Sequence, residues 1–213
     1  MLWDKTQTLW EAGDPTNVKF LVKGKSVYDP RLDTSPGANP DNATYFAWTD
    51  NPALCTVDYL RDPKFSPLAG GIPASRINWD SVVSAADDCD VLVFVPPTAS
   101  PSNTEKRYTC NGVIYGTETP ENNLAALLSS FNGDVLFSGG EYSIVAGVYE
   151  APTDALSEDD IIGPITVNSA LDSEQRINTL KASYVDPDKS YEITETPPVE
   201  LYKTSHTVNA FAN

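Results

Sequence analysis

The period of the apolar positions changes several times along the chain, and each change predicts an element. Val18, Phe20 and Val22 alternate with their neighbours and predict a strand. Lys23-Gly24-Lys25 then reads as a turn, and Ser26-Val27-Tyr28 as the short second strand of a hairpin, stopped by Asp29-Pro30. Thr34 to Thr44 is rich in Pro, Gly, Asn and Asp and predicts a loop. Tyr45 to Trp48 is an aromatic strand. Leu54, Val57 and Leu60 recur at helical spacing, with Tyr59 beside them; Asp50 or Asn51 is placed to cap that helix, Pro52 suits its first turn and Pro63 ends it. A second helix follows a loop with Gly70-Gly71, with Trp79, Val82, Val83 and Ala86 on one face. "DVLVFVPP" is a strand closed by Pro96-Pro97, and Ala99 to Thr104 is a polar loop.

The stretch Lys106 to Val145 packs several signals together. "KRYTCNGVIYG" reads as a strand with Tyr108 and Cys110 on one side. Thr119-Pro120-Glu121 is a helix start, with a capping hydroxyl, Pro in the first turn and an acid to meet the helix dipole. Leu124, Leu127, Leu128 and Phe131 line one face of that helix, and Asn132-Gly133 ends it in a left-handed conformation. "DVLFSGGEYSIVAG" is a hairpin around Gly139-Gly140. Each signal agrees with the next, which predicts a packed strand–helix–hairpin unit. Beyond it, Ala151 to Pro164 is acidic and loop-like. "PITVNS" and "QRINTLKASYVDP" predict strands, Pro197-Pro198 breaks the following segment, and "VELYKTSHTVNAFAN" is a weak tail.

Charge narrows the partners. The 213 residues carry a net charge of −16, with no Lys/Arg cluster, so a phosphate backbone is repelled and nucleic-acid binding is not expected. No apolar run approaches the length of about 18 residues that a membrane helix needs, so no membrane segment is expected. "MLWDKTQTLW" lacks a basic region followed by an apolar stretch, so no signal peptide is expected, and the chain reads as an internal piece of a longer protein. The three cysteines, Cys55, Cys89 and Cys110, are widely spaced and form no CxxC. They read as reduced, small hydrophobic residues of a cytoplasmically made protein.

Candidate chemistry is thin. A Ser-His-Asp or Cys-His site would need the single histidine, His206, and no GxSxG accompanies any serine. Zinc would need His or Cys pairs that are absent, no loop has the spacing of a calcium loop, and phosphate-cradling glycine loops are missing. Two acidic clusters, Asp87-Asp88-x-Asp90 and Ser157-Glu158-Asp159-Asp160, are the candidates for a glycosidase-type acid pair. Their simpler reading is a helix end in solvent and an acid-rich first turn. Trp48, Trp79 and Tyr45 are compatible with a sugar platform, and more simply with core positions. Turn chemistry accounts for Gly112, Gly133, Gly139 and Gly140. No catalytic residue, cofactor or metal site is therefore expected.

Three stretches taken in order carry a resemblance: "KGKSVYDPRLD", "FAWTDNPALCTVDYL" and "KRYTCNGVIYGTETPENNLAALLSSFNGDVLFSGGEYSIVAG". The chain resembles the central tail-hub or tail-tip proteins of long-tailed bacteriophages, the class of the lambda host-specificity protein. A VYDPR turn lies at Gly24 to Arg31, an NPA helix start at Trp48 to Ala53, an RYxCNGV strand at Arg107 to Val113, and a GGxY hairpin follows. "DDIIGPITV" and "INTLKASYVDP" are similar to the family's next segment, so the likeness runs from Val18 to Pro187. Lys25 stands where arginine is usual, and the Thr34 to Thr44 loop is long; both departures fall at turns.

The resemblance implies an α+β fold of mixed small β-sheets or β-barrel-like hub subdomains with two or three short helices. It implies a first subdomain over 1–105 and a second over 106–213. It also implies a structural, non-enzymatic role at the distal end of the virion tail, in a protein made in the bacterial host cytoplasm. The implied partners are other copies of itself in a trimer, neighbouring tail-tube and distal-tail proteins, and a host receptor reached through downstream modules. Two other classes stay open: a module binding a host receptor or glycan through the Thr34 to Thr44 or Ala99 to Thr104 loops, and a peptidoglycan hydrolase.

Overall fold

The computed structural model of the chain describes residues 20, 22–35, 39–94, 104–152, 154–157, 160–164, 166, 179–186, 189 and 192–200. They belong to two compact units, 1–151 and 152–213. The fold is α+β: among the described residues there are three α-helices and a series of antiparallel strand pairs. Every sheet among the described residues has two strands, so none closes into a barrel. The division expected at 105/106 falls inside a strand, β4 (Thr104–Lys106), which is paired with β3 (Leu92–Phe94).

The first unit is built around helix α1 (Pro52–Arg61). Asn51, rather than Asp50, caps it: its side-chain oxygen accepts from the backbone N–H groups of Ala53 and Leu54 at 3.1 and 3.4 Å. Its amide nitrogen donates to the Ala86 carbonyl of helix α2 (Trp79–Asp90) at 2.9 Å. One wholly buried amide thus starts one helix and ties it to the next. Seven of the ten residues of α1 are buried, so it is a central helix rather than a surface one. Along α2 the buried stripe is Val82, Ala85, Ala86 and Cys89, with Val83 and Trp79 half-buried at its side. Asn78 caps that helix, accepting from the Ser81 N–H at 3.1 Å.

Helix α3 (Pro120–Ser129) begins at Thr119, whose hydroxyl oxygen accepts from the Asn122 N–H at 3.3 Å. It meets α1 through the Tyr59 hydroxyl, which donates to the Pro120 carbonyl at 3.0 Å. Its last turn closes when the Gly133 N–H reaches back to the Leu128 carbonyl at 2.9 Å. The left-handed residue there is Asn132 (φ 48°), not the glycine. Gly133 is needed for another reason: a Cβ on it would lie 2.0 Å from the fully buried Phe131 ring. The chain then forms the expected hairpin, β5 (Asp134–Ser138) with β6 (Glu141–Val145). Gly139 and Gly140 both take positive φ, 62° and 92°, as a tight two-residue turn requires. β6 leans on α2: the Ile144 N–H donates to the Ser81 hydroxyl at 3.1 Å, and the Asn78 N–H donates to the Tyr142 carbonyl at 2.9 Å. Leu54, Leu60, Ile72, Val82, Phe131 and Ile144 meet in one core.

Two strand expectations change. β1 (Val27–Tyr28) pairs antiparallel with β2 (Phe46–Ala47), a partner across the loop rather than across Lys23-Gly24-Lys25. Of the first strand of that expected hairpin, Val18 lies outside the described residues, and Phe20 and Val22 are exposed and not in a strand. The strand expected over 106–116 stops at Lys106. Beyond it the backbone bonds to the ends of other elements instead of to a ladder: Arg107 N–H to the Val91 carbonyl at 2.8 Å, Tyr108 N–H to Cys89 at 3.1 Å, and Cys110 N–H to Asp50 at 2.8 Å.

In the second unit one long hairpin is described. β7 (Thr179–Leu180) pairs with β10 (Val199–Glu200), and β8 (Ser183–Asp186) with β9 (Glu192–Glu195). Between the two pairs one arm has Lys181-Ala182 and the other Thr196-Pro197-Pro198, a bulge of one extra residue. The prolines have no N–H to give a ladder, so the register shifts there. Thr196 bridges the gap: its N–H donates to the Ala182 carbonyl at 2.8 Å, and its hydroxyl oxygen accepts from the Ala182 N–H at 3.2 Å. The "PITVNS" strand lies mostly, and the tail beyond Glu200 wholly, outside the described residues.

Candidate functional site

The densest polar constellation surrounds the C-terminal end of α2. Asp87, Asp88 and Asp90 stand where the helix carbonyls already concentrate negative charge, and the last turn has no basic residue of its own. The compensation comes from distant parts of the chain. Arg31 reaches Asp87 at 3.1 Å and Asp90 at 2.9 Å through Nη1, and grips Asp29 at 2.9 Å through Nη2. Lys106 on β4 bridges Asp90 at 2.9 Å and Asp50 at 2.8 Å. Arg107 donates to the Asp88 carbonyl at 3.2 Å. Asp87 is largely exposed, as expected of a helix end, but the cluster is also part of a chain of alternating charges joining the VYDPR turn, the start of α1, α2 and β4.

Electrostatics follow the geometry. Partial burial works against the Asp90 charge, but the donors of Lys106 and Arg31 outweigh it and hold the carboxyl below its usual range. Lys106 is held above its ordinary value by Asp50 and Asp90 against the same opposition from burial. Asp33 organises the start of the 34–44 loop. Loss of water opposes its charge, yet donors from the Ser35 hydroxyl, Tyr28 hydroxyl (2.7 Å) and the Ser35 and Asn39 N–H groups (2.8 and 2.7 Å) push its pKa well down. A general acid needs the opposite, a raised carboxyl. These carboxylates serve as acceptors and ion-pair partners.

Of the second acidic cluster, Glu158 and Asp159 lie outside the described residues, as does His206. Asp160 accepts from the N–H and hydroxyl of Ser157, both at 2.9 Å, and these two bonds lower its pKa. The three candidate aromatics are not one platform. Trp79 packs on the core, edge-on to Tyr28 at 5.3 Å, and its Nε1 donates to the Ala74 carbonyl at 3.1 Å. Tyr45 is half-buried. Trp48 is the exposed one, at 45%, and Lys23 Nζ lies 5.1 Å from its ring centroid. Among the described residues no group of three or more His, Cys, Asp or Glu is placed to hold a metal ion, and no helix is long and apolar enough to cross a membrane.

Two features had no signal in sequence spacing. The first is the cysteine pair: the Cys110 N–H donates to the Asp50 carbonyl at 2.8 Å and the Cys55 sulfur lies 4.0 Å from the Thr49 carbonyl oxygen, so two residues far apart in the chain converge on one stretch. The second is the exposed apolar surface. On the hairpin, Leu136 and Val145 occupy the outer face while Val135 and Ile144 face the core. Val113, Ile114 and Tyr115 are exposed together, as are Leu92 and Phe94 on β3. No family model matches the chain, and no curated protein matches it.

Proposed function

We propose that the chain is a structural component of a long-tailed phage tail tip, a hub domain that helps close the tail tube and carries receptor-binding modules through contacts between subunits. One observation carries the reading: large apolar side chains stand exposed on short, open-edged strand pairs in both units. Unpaired strand edges and apolar faces are what a neighbouring chain covers. Ile193, Val199 and Tyr184 of the second unit, and Leu136, Leu92 and Phe94 of the first, are such positions. The charged residues support the same reading, because the acids around α2 are neutralised in ion pairs rather than arranged to react. The partners in this reading are further copies of the chain in a trimer and the adjoining tube and distal-tail proteins.

Immunogold labelling of whole phage particles, with antibody raised to this chain, tests it. Gold at the distal tail tip is the expected result. Absence from particles, with the protein free in the lysate, overturns the reading.

A further inference from the structure

We propose that Cys55 and Cys110 are a redox pair that closes into a disulfide, clamping the 107–115 segment onto helix α1. The geometry starts with one short stretch, Thr49 to Asn51, on which both cysteines converge. The Cys110 N–H donates to the Asp50 carbonyl at 2.8 Å, and the Cys55 N–H donates to the Asn51 carbonyl at 3.1 Å. The Cys55 sulfur lies 4.0 Å from the Thr49 carbonyl oxygen. Cys110 is thereby held by its own backbone over the first turn of α1, beside the stretch that the Cys55 sulfur faces. Lys106 reinforces this docking from a few residues upstream through its bond to Asp50. Two cysteines anchored on the same three residues are placed to bond with little backbone movement.

Access and ionisation separate the three cysteines. Cys55 and Cys110 are half-buried, within reach of a small oxidant. Cys89 is wholly buried, and burial pushes its thiol up to about 11. The neighbouring Cys110 thiol favours the thiolate at Cys55, against burial and the nearby Asp58 and Asp50. Both of those carboxylates are engaged by cations, Asp58 by Lys25 at 2.7 Å and Asp50 by Lys106 at 2.8 Å. Cys55 is thus the attacking sulfur.

The oxidant is a small-molecule disulfide such as oxidised glutathione. The Cys55 thiolate attacks one of its sulfurs, forming a mixed disulfide; the expelled thiolate takes up the proton that Cys55 lost. Cys110 then gives up its proton and attacks the Cys55 sulfur, and the second small thiol leaves with that proton. Two protein thiols become one disulfide and the small disulfide becomes two thiols. The new bond closes a loop from α1 through α2, β3 and β4. It would also pin the stretch that bears the exposed Val113, Ile114 and Tyr115.

The test incubates the reduced full chain with excess oxidised glutathione, then alkylates, digests and maps it by mass spectrometry. The expected product is a Cys55–Cys110 cross-linked peptide with Cys89 still a free thiol, and a melting temperature raised by about 10 °C over the reduced chain. Cys55→Ser and Cys110→Ser should each lose the oxidant-dependent rise. Stable glutathione adducts without an internal bond, pairing through Cys89 or between chains, or three free thiols after treatment would each overturn the proposal. The mapping needs only the unsubstituted chain, so a variant that fails to fold does not spoil the test.

Discussion

β6 and β9 carry similar patterns and meet opposite fates. In "EYSIV" of the first unit, Ile144 is 2% exposed, pressed against α2 and the end of α3. In "EITE" of the second, Ile193 is 77% exposed. The contrast extends to the described residues of the two units. The first gathers Leu54, Val57, Leu60, Val82 and Phe131 into a core, whereas none of the described residues of the second is buried. A two-stranded ribbon has two faces and nothing to close either; a core needs a second layer, and the first unit has helices to supply it. Apolar content alone therefore does not bury a residue: the described isoleucines and valines of the second unit are exposed.

The sharpest way to break this contrast is to remove the centre of the first core. Phe131→Ala should cost about 3–5 kcal/mol in urea denaturation, because the ring is fully buried and its neighbours cannot all collapse into the gap. A loss no larger than that of a surface substitution would mean the core is not where the first unit's stability resides.

Next in size is Asn51→Ala. It removes the cap of α1 and strands the Ala86 carbonyl in a dry place, so a loss of about 2–3 kcal/mol is expected by the same measurement. Asn51→Asp separates the two roles, since it keeps the cap and lacks the donor.

Acid should weaken the first unit through Asp90 and Asp33. Their folded carboxyls are held below the usual range, so the unfolded chain binds more protons on acidification. Their contribution is whole above pH of about 4 and is lost as pH falls from there toward the lower folded values. Asp90→Asn should flatten that decline in the urea midpoint and cost about 1 kcal/mol at neutral pH, as a half-exposed ion-pair network does. An unchanged acid profile in Asp90→Asn would remove Asp90 from the account.

The smallest effect belongs to the second unit. Ile193→Thr should change the unfolding free energy from urea denaturation by no more than about 0.5 kcal/mol in the isolated chain, because the side chain already faces water. A loss matching that of Phe131→Ala would erase the difference between the units. If the same substitution instead blocks incorporation into phage particles, the exposed face is an interface.

Helices and the tight hairpin were legible because their causes are local. Pro52, Thr119-Pro120 and Gly139-Gly140 act within a few residues, and each stands where the pattern put it, with Asn51 one of the two caps that the pattern offered for α1. Pairings were less legible. Tyr28 finds Phe46 across a long loop, and nothing near Tyr28 encodes that choice. The alternating pattern of 106–116 looks like a strand, but its neighbours are helix ends, so its N–H groups go to Val91, Cys89 and Asp50 instead of a ladder. "QRINTLKASYVDP" reads as one strand because its break is imposed from the opposite arm, where Pro197-Pro198 has no N–H to offer. Trp48 shows the same limit: aromatic composition places it inside, and the fold leaves it beside Lys23 at the surface.

By itself, then, the sequence determined where helices start and stop, where the chain turns, and that its surface is acidic, since those follow from hydrogen bonds within a turn or two and from simple charge count. Only the tertiary structure decided which apolar residues are covered, how Arg31 and Lys106 neutralise the acids of α2, and that Cys55 and Cys110 converge on Thr49 to Asn51. Those outcomes depend on residues distant in the chain being brought together by packing, and no local pattern specifies a partner so far away.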